Sequence, residues 1–124
     1  MAGNYVDPDV DVIDRVRPLC MALPEVVEQD AWAGTRWQVA RRTFAHVLTV
    51  LAPVERTVLT FRAEGEDLHV LSQVGPPFYR LGWGRDAMGM VLDDATDWSE
   101  VAEVVRDSYC VLAPKRLVAL LDRR

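Results

Sequence analysis

Val12, Ile13, Val16, Leu19, Cys20 and Leu23 recur at steps of three and four residues. That spacing gives one apolar face and predicts an amphipathic helix. Asp7 stands where a capping side chain accepts a bond from an unpaired amide, Pro8 suits the first helical position, and Pro24 ends the run. From residue 35 the period changes. Trp37 and Val39 alternate with Arg36 and Gln38, a polar break follows at Arg41-Arg42-Thr43, and a dense apolar run extends from Phe44 to Leu51. Two strands joined by a short turn fit this pattern. "RTVLTFRAE" predicts a third strand, with Leu59 and Phe61 inward and Thr60 and Arg62 outward. "EDLHVLSQV" predicts a short helix, "AMGMVLD" a further strand, and "TDWSEVAEVVRDSYCVLAP" a long helix that Asp97 and Glu100 start in the manner of a capping box. "KRLVALLD" adds a last helical turn or two. The order α-β-β-β-α-β-α is a meander with helices, so the fold class is α+β.

Composition narrows the class. A chain of 124 residues, half of them hydrophobic, forms one domain over 1–124, with 1–6 expected as a loose N-terminus. No apolar run approaches the ~18 residues of a membrane span. The acidic start lacks the order of a secretory signal, which sets a cytoplasmic expectation with no membrane partner. Cys20 and Cys110 lie far apart within helical patterns, as reduced thiols would, and no clustered Cys or His spacing offers a metal site.

The net charge is −5, unevenly spread. Residues 1–30 hold seven acidic against two basic side chains, whereas residues 31–62 hold five arginines against Glu55 alone. Among candidate chemistries, Gly82-Trp83-Gly84-Arg85-Asp86-Ala87 has the spacing of a dinucleotide loop. Such a loop must leave a strand and open a helix. Here Pro76-Pro77 precede it and a strand pattern follows, so no nucleotide cofactor is expected. "DPDVD" begins like a calcium loop, but Val12 and Pro18 stand where glycine and glutamate are required. His46 sits in an apolar strand run, as a structural histidine would, and His69 on a polar helix. Neither lies in a motif that activates a nucleophile. No cofactor and no catalytic set is predicted.

Several stretches resemble the MmcQ/YjbR-like family of small bacterial proteins. "CMALPEVVEQDAW" is similar to its entry, and "RWQVARRTFAHV" to its strand–turn–strand, with Arg41-Arg42 where the family often has Gly-Gly or Gly-Lys. "PPFYRLGWGRDAMGMVLDD" resembles its tyrosine loop, and Asp107-Ser108-Tyr109 with Lys115-Arg116-Leu117 resemble its C-terminal helix. The likeness covers about residues 10–121. It implies a single compact domain with a curved antiparallel sheet packed by N- and C-terminal helices, similar to secretion chaperones. It also implies DNA binding.

The resulting expectation is a non-enzymatic binding domain for nucleic acid. Arg36, Arg41, Arg42, Arg80 and Arg85 would meet phosphates, with Trp37 or Trp83 as stacking surfaces. The alternative is a small-molecule or protein-partner module built on the Tyr79–Arg85 loop, with Tyr79 and Trp83 as anchors. An enzyme is the third reading, and oligomeric state is open.

Overall fold

The computed structural model describes residues 4–121. In chain order the elements are β1 (Tyr5–Val6), α1 (Val10–Met21), β2 (Val27–Asp30), β3 (Thr35–Val39), β4 (Arg42–Val50) and β5 (Arg56–Arg62). Then come α2 (Gly65–Gln73), β6 (Phe78–Arg80), β7 (Ala87–Leu92), α3 (Trp98–Leu112) and α4 (Lys115–Leu121). The seven strands make one antiparallel sheet in the order β2-β3-β4-β5-β7-β6, with β1 against the far end of β4. This is the α+β class that the change of period predicts.

Alternation along the strands sorts the side chains. Trp37, Ala45, Val47, Leu59, Phe61, Met88 and Met90 join Ile13, Val16 and Cys20 of α1 with Val101, Val105 and Tyr109 of α3 in one buried core. Cys20 is a wholly buried thiol, and burial pushes its pKa up. Asp97 accepts from the amides of Ser99 and Glu100 and starts α3 as its sequence predicts.

A bulge opposite Trp37 and Gln38 leaves Phe44 without a partner on β3, and its ring packs edge-on against Tyr109. One rung beyond the last β4–β5 pair, Ser108 of α3 enters the ladder. Its Oγ donates to the Phe44 carbonyl at 2.6 Å and accepts from the Arg62 amide at 2.8 Å. Next to it, the Tyr109 hydroxyl donates to the Pro24 carbonyl at 2.8 Å. The Asp-Ser-Tyr element thus fastens α3 to the sheet and to the turn after α1.

Three strands escape the sequence pattern. β2 is largely exposed and shows no alternation, β6 has three residues and β1 two, so pairing rather than periodicity defines them. Tyr5–Val6 was expected within a loose terminus and instead pairs with Val50 and Thr49; residues 1–3 of that terminus lie outside the described residues. The first helix begins at Val10 rather than Pro8, because the Asp7 carboxylate accepts from the Gly34 amide at 2.7 Å and leaves Asp9 at the helix start. Among the described residues no helix is long and apolar enough to cross a membrane.

Candidate functional site

Register brings distant residues into one row on the sheet face away from the core. Gln29 of β2 lies opposite Arg36, Arg36 opposite His46, His46 opposite Thr60, Thr60 opposite Gly89, and Gly89 opposite Tyr79. The row crosses six strands and combines residues that sit up to 60 positions apart in sequence. Arg36 is oriented by Gln29, whose Oε1 accepts from Nη2 at 3.0 Å, and its buried Nε has no partner among the described residues. The Tyr79 ring lies across Gly89, where a Cβ would come within 2.7 Å of it. The Arg56 guanidinium covers the same ring at 5.0 Å from its centroid. Burial pushes the Tyr79 hydroxyl above its ordinary pKa, with Arg56 opposing, so the phenol stays protonated and neutral.

Over this row stand three aromatic side chains, Tyr5 from β1, Trp32 from the β2–β3 turn and Trp83 from the β6–β7 loop. Trp32 meets Tyr5 at 5.1 Å between ring centroids, Trp83 at 6.0 Å and His46 at 5.5 Å. Trp83 also approaches Tyr5 and His46. His46 Nε2–H donates to the Ala33 carbonyl at 2.6 Å, which fixes the turn that carries Trp32. Burial lowers the His46 pKa, the Ala33 bond opposes this, and Arg36 adds to it, so the imidazole is neutral at neutral pH. In the neutral ring Nδ1 is then an acceptor.

Two cavities meet under Trp83 and share Thr60. One, of about 410 Å³, is bounded by Trp32, Arg36, Thr43, His46 and Arg62. The other, of about 260 Å³, is bounded by Tyr5, Leu48, Arg56, Tyr79 and Arg80. Among the described residues no carboxylate lines either one. Arg62 is neutralised by Asp86 at 2.7 Å, which leaves Arg36, Arg56 and Arg80 as the cations bordering the two cavities. Register puts Arg36 and Arg56 on this face, whereas Arg80 stands opposite the core residue Met88 and borders its cavity from the edge strand. A third cavity, of about 420 Å³ and bounded by α2 and α3, has the opposite character. Glu64, Asp67, Glu100, Glu103 and Asp107 line it, and burial, then Asp67 and Glu103, raise the Asp107 pKa.

The predicted site residues divide accordingly. Arg36, Tyr79 and Trp83 come together on the face, and Arg80, opposite the core residue Met88 on the edge strand, borders one of its cavities. Arg41 and Arg42 lie exposed at the β3–β4 turn, at the end of the sheet. Arg85 is exposed on the loop, where its carbonyl accepts from Arg80 Nη2 at 2.6 Å. Trp37 is corrected outright: it is 0% exposed in the core and its indole N–H donates to Glu28 at 2.9 Å, so it presents no stacking surface. Tyr5, Trp32, His46 and Arg56 belong to the face and were not singled out for it. For Trp32 a signal existed, since it lies in a short Ala-Gly segment ahead of the Trp37 strand and outside any apolar periodic run.

Fold and face together define an α+β domain whose sheet is helix-packed on one side and presents an aromatic, cationic surface on the other. The chain belongs to the YjbR family, whose family model matches residues 21–111. Among curated proteins none matches the chain. Among the described residues no group of three or more His, Cys, Asp or Glu side chains is placed to hold a metal ion.

Proposed function

We propose that this YjbR-family domain is a non-enzymatic binding protein that takes nucleic acid, as DNA, on the Trp32–Trp83 face of its sheet. One observation carries the reading: in a molecule of net charge −5, the cavities of this face are bordered by aromatic rings and four arginines, one of them paired with Asp86, and by no carboxylate among the described residues. Guanidinium groups meet phosphates while exposed indoles stack on bases, and this pairing suits a single strand whose bases are already open. Arg85, exposed on the Trp83 loop, adds a cation beside the cavities, whereas Arg42 pairs with the core residue Val39 and so stands on the helix-packed side of the sheet end. In a low-salt titration with a labelled DNA oligomer, affinity falls as salt rises, with a log–log slope near −0.7 for each phosphate neutralised on a single strand. Binding no tighter than about 100 μM at low salt, the weak end of non-specific affinity, ends this reading.

A second reading is favoured by cavity size. At about 410 Å³ the space beneath Trp83 falls within the range of small-molecule sites. A planar organic acid that raises the melting temperature while DNA leaves it unchanged selects this alternative.

A further inference from the structure

We infer that Trp32 and Trp83 form a clamp that closes on a single planar nucleobase, with His46 as its floor and the arginines receiving the attached phosphate. The inference rests on the nucleic-acid reading and narrows it to one subsite.

The two indoles are the most exposed aromatic rings at the site, 63% and 45% accessible, yet they stand edge to face with centroids 6.0 Å apart. A planar ring held between parallel faces needs two carbon–carbon contacts of about 3.5 Å, hence a spacing of about 7 Å. Opening by about 1 Å with rotation of one indole therefore admits one ring and no more. The two arms differ in how they permit this. Trp32 is fixed: Gly34 bonds to Asp7, the Ala31 amide bonds to the Gly34 carbonyl at 3.0 Å, and His46 holds Ala33. Trp83 is the moving arm, flanked by Gly82 and Gly84. A Cβ at Gly82 would meet nothing within 4 Å, and the nearest atom to one at Gly84 is the end of the Arg62 side chain at 3.2 Å.

Charge decides what kind of ring enters. Aromatic cages also bind organic cations through their ring faces, but a neighbouring guanidinium repels such a cation. Here Arg36 borders the clamp cavity, Arg56 and Arg80 border its neighbour, and no carboxylate lines either among the described residues. The fitting ligand is a planar heterocycle bearing an anionic group. The neutral His46 offers Nδ1 to a ring N–H or amino group, which a nucleobase supplies.

Three probes test the clamp: adenosine 5′-monophosphate, ribose 5-phosphate with the same anion and no base, and a short single-stranded DNA oligomer. Calorimetry and tryptophan fluorescence follow binding to the full chain. The monophosphate and the oligomer are expected to bind and quench fluorescence, and ribose 5-phosphate to bind at least five-fold more weakly. Trp83→Leu and Trp32→Leu should each weaken the base-bearing probes at least five-fold, the lower range of base–aromatic stacking. Both side chains are exposed, so the variants keep their fold, which circular dichroism verifies. Equal binding of ribose 5-phosphate and the monophosphate overturns the clamp. So does oligomer binding that both variants leave unchanged, although strand binding then stands. Monophosphate binding lost in the variants, with no oligomer binding, upholds the clamp and removes the strand reading. Displacement of the monophosphate by tetramethylammonium marks a cation cage and also overturns the clamp.

Discussion

Ser108 satisfies two backbone groups where the β4–β5 ladder ends, one on each strand. Ser108→Ala leaves a buried carbonyl and amide without partners, and a loss of about 1–3 kcal/mol is expected in urea unfolding. His46 contributes a pH dependence. Its folded pKa lies below the ordinary 6.5 because burial disfavours the imidazolium. Between that lowered value and 6.5 the unfolded chain binds a proton that the folded chain does not. The His46 contribution is therefore complete above pH 6.5 and is lost as the pH falls through the window. Comparing the melting temperatures of the wild type and His46→Gln at pH 7.5 and 5.5 checks this, and the wild type should lose more on acidification. Trp37 shows how far single residues were legible. Its alternation with Arg36 already places the two on opposite faces, so grouping them in one binding surface conflicted with the strand period. Ser108 was visible only as part of a family-like motif, because its task depends on where two strands part.

At the scale of elements, long alternating or helical runs were readable because burial imposes their period. β3, β4, β5, β7, α1 and α3 are of that kind. β2 and β6 are edge strands that obtain order from a neighbour, and no local pattern announces them. The row from Gln29 to Tyr79 was unreadable for a related reason, since it exists only once the register of five strand pairs is fixed. The β3–β4 turn carries a residual cost: Ala40 and Arg41 have φ of +50° and +68°, a left-handed conformation that side chains with a Cβ rarely adopt. Ala40→Gly should relieve it and stabilise the domain by about 0.5–1 kcal/mol, as a shift in unfolding midpoint. Gly34→Ala has the opposite outcome. Its φ is +75°, and a Cβ would lie 1.8 Å from the Val47 carbonyl oxygen. Backbone cannot yield there as a side-chain tip does, so loss of cooperative unfolding is expected.

Across the whole molecule, the net charge conceals a division between two sides. Carboxylates collect along the α2–α3 cavity, while the cavities beneath Trp83 hold arginines alone among their charged lining. Net charge therefore says little about the field over this face, which would govern the approach of an anionic ligand. Replacing Arg36, Arg56 and Arg80 together by glutamine should flatten the salt dependence of DNA binding by about 2 in log–log slope, for three phosphates on a single strand. The position of Ser108 has a further outcome. The last cross-link between β4 and β5 is supplied from 46 and 64 residues further along the chain, so the central hairpin is not closed until the late helix arrives. In hydrogen–deuterium exchange the Arg62 amide should then behave as a sentinel for α3, surrendering its proton in step with that helix rather than with the strand on which it resides.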